Sequence, residues 1–301
     1  METYNRRTVL CAAAAGGLLQ ARAPQKTPGA GMRLGIILGI TSQPDAAIQR
    51  VHDLGFPTCQ VTVRDTGDDA AASLRRALDR YGVEATSAVA TGPGPEVYDF
   101  YQGPATIGLV PRPYRQQRIA RVKQISDFAA KAGIPAVQGH CGFIPENPND
   151  PAYQEAVDAI RTVAAYCRQQ GQKFRCETGQ ETPITLVRAI RDVGLDNVGV
   201  NFDAANLILY GKANPVDAVE TLAPYIQGVH AKDGLYPTDP RQLGKEVPIG
   251  EGMVNFPVLI GKLKKIGYRN PLTIEREIGG EKQTADILAA KAYLEKLVGD
   301  L

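Results

Sequence analysis

The 301-residue sequence has no tryptophan, only three histidines and no long apolar stretch. Since a membrane-spanning helix needs roughly 18 to 20 apolar residues in a row, the sequence predicts no membrane span. It also lacks an excess of charge of one sign, with 34 lysines and arginines against 32 aspartates and glutamates. This balance argues against a nucleic-acid partner, because such proteins need a strongly basic surface.

Cysteine is also scarce, and its five positions are widely spaced with no C-x-x-C pair. A zinc knot or a redox-active pair needs closely spaced cysteines, so neither is expected. Cys11 falls in the N-terminal segment. The other four are expected to be small buried hydrophobic residues, and they are Cys59, Cys141, Cys167 and Cys176.

The first 23 residues have the order of an export signal. Arg6 and Arg7 precede an apolar stretch over residues 8–19, and Ala21-Arg22-Ala23 offers a cleavage site. The adjacent arginines resemble a twin-arginine signal, which predicts a periplasmic or secreted protein. The alternative is an amphipathic N-terminal helix on a cytoplasmic protein, but the stretch is apolar all round.

A proline- and glycine-rich linker, residues 24–31, leads into a predicted catalytic domain, residues 32–301, in which β-rich and amphipathic stretches alternate eight times. The predicted strands are Arg33–Gly39, Thr58–Val63, Glu84–Ala90, Ala136–His140, Lys173–Gly179, Asn197–Asp203, Ile226–Asp233 and Pro271–Glu277. The predicted helices that follow them are Asp45–Leu54, Asp69–Tyr81, Arg115–Lys131, Pro151–Arg168, Pro183–Val193, Asn214–Tyr225, Asn255–Ile266 and Ala285–Val298.

Short links between each helix and the next strand favour parallel strands. The fold class is therefore α/β, and eight such units predict a single-domain (β/α)8 TIM barrel. An open doubly wound sheet is the alternative, but no G-x-G-x-x-G follows the first strand. Two predicted loops are unusually long, residues 91–114 and 234–254, and both belong to the face that carries the active site of such barrels.

Acidic residues and a histidine stand at the C-terminal ends of four successive predicted strands: Glu177, Asp203, His230 and Glu275. Neighbouring strands lie about 4.8 Å apart, so four inward side chains can meet at one point. Three converging carboxylates repel one another unless a cation joins them. Each residue alone fits an ordinary structural role, but their joint position favours a metal site. An oxygen-rich set with one imidazole suits Mn²⁺ or Mg²⁺ better than structural Zn²⁺.

Two further polar residues at this end of the barrel are candidates for substrate contact. His140 ends the fourth predicted strand and fits either a substrate hydrogen bond or a structural role. Lys232 lies two residues after His230, so strand alternation places both on one side. It fits either contact with substrate or a pair with a carboxylate. The aromatic residues of the first long loop, Tyr98 and Phe100 among them, fit either stacking on a sugar or packing within the loop.

These strand ends resemble the xylose-isomerase-like barrel superfamily, in particular its sugar phosphate isomerases/epimerases. The resemblance covers residues 32–299, and its most specific parts are Cys176-Glu177-Thr178, Asp203-Ala204-Ala205-Asn206, His230-Ala231-Lys232-Asp233, Gly250-Glu251-Gly252 and Thr273-Ile274-Glu275. It implies that Glu177, Asp203, His230 and Glu275 are metal ligands and that Glu177 and Glu275 are also the catalytic acid and base. Asn206 stands where related ketose epimerases often carry a histidine that touches the substrate, so it is a third candidate for substrate contact.

The resemblance implies a divalent-metal-dependent sugar isomerase or epimerase, with Mn²⁺ the expected ion and Mg²⁺, Co²⁺ or Zn²⁺ as alternatives. Such a cation polarises a sugar carbonyl, so that the neighbouring proton can leave and an enediolate is stabilised. The alternative is a lyase or dehydratase acting on keto-sugars or 3-keto-glycosides with the same ligands. A three-zinc DNA-repair endonuclease needs more histidines than this chain has, and a sugar-binding module without activity would not need the intact ligand set. The expected partner is a small-molecule sugar, and barrels of this kind often form homo-oligomers.

Overall fold

Residues 31–299 are described by the computed structural model, and their strands close into a barrel. The strands are β1 (Leu34–Ile40), β2 (Thr58–Val63), β3 (Glu84–Val89), β4 (Ala136–His140), β5 (Lys173–Glu177), β6 (Val198–Asp203), β7 (Ile226–Ala231), β8 (Asp233–Leu235), β9 (Lys245–Val247) and β10 (Leu272–Ile274). The predicted export signal, residues 1–23, and almost all of the predicted linker lie outside the described residues.

The helices alternate with these strands. They are α1 (Asp45–Asp53), α2 (Asp68–Tyr81), α3 (Gly103–Thr106), α4 (Arg112–Ala132), α5 (Pro151–Gln169), α6 (Pro183–Val193), α7 (Ala204–Leu209), α8 (Pro215–Leu222), α9 (Phe256–Lys265) and α10 (Gly280–Gly299). Within the described part of the chain, none of them is both long and apolar enough to cross a membrane.

The closed barrel follows the order β1, β10, β7, β6, β5, β4, β3, β2, and each neighbouring pair with a recorded register is parallel. The predicted (β/α)8 architecture is therefore confirmed. β8 and β9 form a separate antiparallel pair inside the second long loop, which the sequence analysis described only as a loop.

Successive side chains of each barrel strand point in opposite directions. Cys176 and Phe202 are fully buried in the hydrophobic core, whereas their chain neighbours Glu177 and Asp203 point the opposite way. The four cysteines of the described chain are free, and their predicted burial is confirmed.

Local sequence explains the boundaries of α5. The Asp150 side chain accepts a hydrogen bond from the Ala152 amide at 2.8 Å, so it caps the first turn. Pro151 occupies the first helical position, where a missing N–H costs nothing. The apolar residues that recur at helical spacing form one buried stripe, and its members are Ala156, Ile160, Val163, Ala164 and Cys167.

Four barrel strands end earlier than predicted: β3 by one residue, β5 and β7 by two, and β10 by three. In the last strand the Glu275 amide still donates to the Ala231 carbonyl at 3.0 Å, but the Glu277 amide donates to the Glu246 carboxylate at 3.1 Å. The ladder stops there because a side chain takes the place of the strand carbonyl. The seventh strand was predicted to reach Asp233, but β7 ends two residues sooner and Asp233 begins β8.

Asp233 organises the second long loop. Its carboxylate accepts hydrogen bonds from the amides of Gly234, Gly250, Gly252 and Val254 at 2.9 to 3.1 Å. A side chain at position 252 would place its Cβ 2.1 Å from the Asp233 carboxylate, so the close approach requires glycine. This contact holds residues 250–254 against the end of β7.

Arg118 performs a similar task for the first long loop. This buried side chain of α4 donates to the carbonyls of Pro93, Pro95 and Gly108 at 3.1, 2.8 and 2.7 Å. A guanidinium offers five donors in a fixed plane, so it can bind several loop carbonyls at once. Both ends of the loop that carries Tyr98 are thereby fixed to the barrel.

Candidate metal centre

Four side chains meet at the C-terminal end of the barrel. Glu177 ends β5, Asp203 ends β6, His230 lies next to the end of β7, and Glu275 directly follows β10. Each offers one ligand atom, and these four atoms all lie within 4.8 Å of one another. The structure therefore brings together the four residues that the sequence analysis selected as metal ligands.

Asp203 is oriented by the start of α7. One carboxylate oxygen, Oδ1, accepts a hydrogen bond from the Asn206 amide at 2.9 Å and caps this helix. The Thr178 hydroxyl donates to the Asp203 carbonyl and accepts from its amide, both at 2.8 Å. The second carboxylate oxygen, Oδ2, is buried and has no hydrogen-bond partner among the described residues.

The His230 ring is oriented from inside the barrel. Its Nε2 lies 2.7 Å from Gln60 Oε1, which also accepts from Gln138 Nε2 at 2.7 Å. The Gln60 oxygen can only accept, so this contact favours the neutral tautomer with the proton on Nε2 and the lone pair on Nδ1; Gln138 Nε2 lies 3.2 Å from the same nitrogen. Nδ1 is buried, faces the carboxylates and has no aligned hydrogen bond within the described chain.

The carboxylates crowd this nitrogen. Glu177 Oε1 lies 2.8 Å from His230 Nδ1, Glu275 Oε2 lies 3.1 Å from it, and Asp203 Oδ2 lies 3.6 Å from it. Without a metal, a proton on Nδ1 can lie among these carboxylates, and a divalent ion bound by the same atoms would take its place.

The pKa values of these groups reflect the same excess of negative charge. Burial lowers the pKa of His230, but the charges of Glu177 and Glu275 outweigh it and raise that pKa well above its usual range. Burial raises the pKa of Asp203 to about 6, against the opposing charge of Lys232. Burial also raises the pKa of Glu275, but Lys232 and His230 hold it well below its usual range. His230 and Asp203 therefore hold their protons more tightly than usual, and a divalent ion would displace these protons.

Lys232 supplies a fixed positive charge beside the four ligands. Its buried ammonium lies 3.4 Å from Glu275 Oε2, 3.9 Å from Asp203 Oδ2 and 2.7 Å from Glu277 Oε2. Glu277, the nearest of these carboxylates, is largely exposed, and the three ligand carboxylates keep an excess of negative charge that a divalent ion would offset.

The donor set fits a divalent metal on three counts. The ligand atoms converge, Asp203 Oδ2 and His230 Nδ1 are buried without hydrogen-bond partners among the described residues, and the carboxylates outnumber the nearby positive charges. Three carboxylates and one imidazole form a hard, oxygen-rich set, of the kind that Mn²⁺ or Mg²⁺ prefers.

The three predicted substrate contacts lie around this centre. His140 is paired with Glu177 in the register of β4 and β5, and its buried Nδ1 has no partner among the described residues. The Asn206 side-chain oxygen accepts from Lys232 Nζ at 3.4 Å. Their roles toward a substrate stay predictions.

Aromatic rings surround the opening. The Tyr98 ring lies edge-on to His140 at 5.6 Å between centroids, and Tyr98 is half exposed. Phe100 and Phe143 pack edge-on against Tyr210 at 6.3 and 5.8 Å. Tyr98 and Phe100 of the first long loop therefore pack on His140 and Tyr210, outside that loop.

Sequence reasoning missed the polar layer beneath the ligands and one group of side chains beside them. Gln60 and Gln138 each interrupt an apolar strand, on the face that points inward, and this polar-in-apolar pattern could have revealed them. No comparable signal precedes Gln180, Glu181 and Tyr210, which are buried with polar atoms that have no partner in the described chain. Only the folded arrangement brings these three together.

Gln60→Leu is expected to weaken Mn²⁺ binding by about 10- to 100-fold, because His230 loses the acceptor that fixes its tautomer and ring orientation. Calorimetric titration of the metal-free protein with Mn²⁺ measures the change. Gln124→Leu, at an exposed position of α4, is the control and should bind as tightly as the wild type. Equal affinity in the two variants would show that the hydrogen bond does not orient the ligand.

The barrel and its centre define a class of protein: a (β/α)8 fold with two glutamates, an aspartate and a histidine grouped at the C-terminal ends of the strands. Residues 48–297 match the family described as xylose isomerase-like TIM barrel, and the chain belongs to this family.

Two proteins that are 35% identical to this chain were found. An uncharacterized protein of Methanocaldococcus jannaschii, MJ1311, is 35% identical over 195 residues, which are 60% of this chain and 64% of that protein. The chain thus spans slightly less than two thirds of this relative. The crystal structure of a xylose isomerase domain protein from Planctomyces limnophilus is 35% identical, covers 90% of this chain and 100% of its own, and has a TM-score of 0.84.

More distant solved structures share the fold alone. A D-psicose 3-epimerase determined in the presence of D-fructose is 19% identical, covers 89% of this chain and 100% of its own, and has a TM-score of 0.66. A xylose isomerase-like barrel from Mycobacterium smegmatis in complex with magnesium is 19% identical, with coverages of 89% and 96% and a TM-score of 0.67. A probable 3-DHS dehydratase of Bacillus anthracis is 17% identical, with coverages of 87% and 99% and a TM-score of 0.61.

Proposed function

We propose that this protein is a divalent-metal-dependent sugar isomerase or epimerase that moves a proton next to a carbonyl group. The observation that carries the proposal is the convergence of Glu177, Asp203, His230 and Glu275 within 4.8 Å. Mn²⁺ suits this donor set best, with Mg²⁺, Co²⁺ or Zn²⁺ as alternatives. Sugar epimerases among the proteins that share the fold support a sugar as the small-molecule substrate.

When bound, the ion would supply Lewis-acid polarisation of a substrate carbonyl, which makes the neighbouring proton easier to remove. Proton transfer falls to the two glutamates. Glu177 lies at the end of β5, and Glu275 lies directly after β10. The strands β6 and β7 lie between these two strands around the barrel. The two carboxylates therefore approach a bound sugar from different sides. One can take the proton from one face, and the other can return a proton on the opposite face.

Lys232 and the neighbouring polar groups would hold the substrate. The ammonium lies 3.4 Å from Glu275 Oε2, where it can stabilise negative charge that develops on the substrate oxygen. His140 and Asn206 are the further groups that we place in contact with sugar hydroxyls. Export to the periplasm, and self-association of the barrel, remain predictions that accompany this proposal.

The alternative is a lyase or dehydratase acting on keto-sugars or 3-keto-glycosides. The observation that favours it is the ammonium of Lys232 beside a candidate base, because a fixed positive charge at that place can stabilise the charge that develops on a leaving hydroxyl or glycosidic oxygen. Proton abstraction is common to both reactions, and they differ only in whether a β-substituent then departs.

The test is a screen in heavy water with Mn²⁺-loaded protein. Candidate substrates are free ketohexoses and 3-keto-glucosides, followed by proton NMR and mass spectrometry. Deuterium incorporation beside the carbonyl, without loss of mass, is the result that the proposal predicts. Release of water or of an aglycone would establish the lyase instead. Protein that binds Mn²⁺ but exchanges no proton in any candidate would contradict both reactions.

A further inference from the structure

Two buried side chains next to the metal centre have hydrogen-bonding groups that the fold leaves unused. Gln180 is 1% exposed and Tyr210 is 5% exposed. Both amide atoms of Gln180 and the hydroxyl of Tyr210 have no hydrogen-bond partner among the described residues. Buried polar groups nearly always have partners, so such a concentration of exceptions indicates a place where a ligand supplies them.

The position of Tyr210 is set by the same short helix that carries Asn206. The Tyr210 amide donates to the Asn206 carbonyl at 3.0 Å, which is one helical turn. Residues four apart lie on one face of a helix. Asn206 on that face reaches Lys232 Nζ, so Tyr210 lies one turn further along the side of α7 that faces the centre.

Gln180 lies against this face from the neighbouring loop. It follows Glu177 by three residues, and a Cβ on the intervening Gly179 would be 3.2 Å from Asn206 Cβ and 3.5 Å from the Tyr210 ring. The backbone of residues 179–180 is thus packed directly on α7. Burial raises the pKa of Tyr210 to about 12, and the Gln180 amide is near enough to lower this pKa without forming an aligned hydrogen bond with the hydroxyl.

The chemistry of the two groups identifies what they bind. An amide and a phenol each donate and accept, and so do the hydroxyl groups of a sugar. A phosphate or carboxylate group favours a charged partner, whereas Gln180 and Tyr210 offer an amide and a hydroxyl, which suit a neutral hydroxyl group. We propose that Gln180 and Tyr210 form a specificity subsite that binds hydroxyl groups of the substrate away from the reacting carbon. The substrate role of this subsite rests on the proposed sugar chemistry, but its binding of a polyol can be measured by itself.

The experiment uses D-sorbitol, a polyol with no carbonyl group, titrated calorimetrically into the Mn²⁺-loaded protein. Tyr210→Phe and Gln180→Met remove the polar groups with little change in volume. Each is expected to raise the Kd for D-sorbitol about tenfold, the effect of losing one or two hydrogen bonds. Mn²⁺ affinity should stay unchanged, and the melting temperature of the sorbitol-free variants should not fall, because no bond within the protein is lost.

Tyr166→Phe is the matched control. Its hydroxyl donates to Asp127 at 2.8 Å between α5 and α4, so this variant should lose stability but keep its affinity for D-sorbitol. A lower melting temperature in Tyr210→Phe and Gln180→Met with unchanged sorbitol affinity would mean a structural role and overturn the proposal. So would a wild-type protein that does not bind D-sorbitol.

These results are separate from those of the heavy-water screen. Sorbitol binding that depends on Gln180 and Tyr210, in a protein that exchanges no sugar proton, supports the subsite and contradicts the proposed reaction. If the protein exchanges sugar protons but its affinity for D-sorbitol is the same in both variants, the result supports the reaction and contradicts the subsite.

Discussion

Glu275→Gln is expected to slow the interconversion of two epimeric sugars by two to four orders of magnitude, the usual contribution of a positioned acid or base. Glutamine keeps one oxygen that can serve as a ligand, so Mn²⁺ binding should weaken without being lost. The variant is therefore assayed at saturating Mn²⁺, with bound metal measured in the same sample. Glu177→Gln should have an effect of similar size.

The two variants should differ in the exchange of protons with heavy water. If Glu177 and Glu275 act on opposite faces of the sugar, each variant loses exchange in one epimer and retains it in the other. The control is Glu251→Gln, at an exposed position of the second long loop, which should exchange both epimers at the wild-type rate. Full exchange of both epimers by the metal-loaded Glu177→Gln and Glu275→Gln variants would remove the glutamates from this role.

Glu181→Gln is expected to stabilise the protein by about 3 kcal/mol at pH 7. Both carboxylate oxygens of Glu181 are buried without partners among the described residues. Burial raises the pKa of this carboxyl from 4.5 to about 8. Between these two values the folded chain holds a proton that the unfolded chain has released, so the free energy of unfolding falls as the pH rises. One pKa unit corresponds to about 1.4 kcal/mol, which gives the expected gain at pH 7.

The direction of this effect is tested by urea denaturation at pH 4, 7 and 8.5 in the presence of a metal chelator. Wild type and Glu181→Gln should be equally stable at pH 4, because both then carry a neutral side chain. The difference should grow with pH and become constant above the folded-state pKa. Glu251→Gln, a glutamate already in water, should follow the wild type. A Glu181→Gln variant with the wild-type pH dependence would mean that Glu181 is ionised and solvated in the folded chain.

The fold was readable because its signals are local and repeated. Proline or a capping side chain begins helices such as α5, and glycine with positive φ follows α2, α4 and α6. Strand ends were less predictable. The end of β10 depends on a hydrogen bond from the Glu277 amide to Glu246, and that of β7 on the amides gathered by Asp233. These contacts join residues far apart in the chain, so the alternation of polar and apolar residues along a strand does not predict them.

The same distinction applies to the candidate centre. Glu177, Asp203, His230 and Glu275 could be selected because each is a ligand type at the end of an apolar strand, and a parallel barrel places such ends together. The selection of Lys232 also followed from strand alternation. Gln180, Glu181 and Tyr210 lie in a loop and at the end of a short helix, where no alternation fixes the direction of a side chain. They stand out only in the folded chain, where their buried polar atoms have no hydrogen-bond partner among the described residues.

The most direct test of the central claim is anomalous diffraction from crystals of the protein soaked in Mn²⁺. We expect one strong anomalous peak per chain at the C-terminal end of the barrel, bonded to Glu177, Asp203, His230 and Glu275 together. Crystals of well-diffracting, Mn²⁺-soaked protein with no peak among these four side chains, or with the peak elsewhere, would contradict the account.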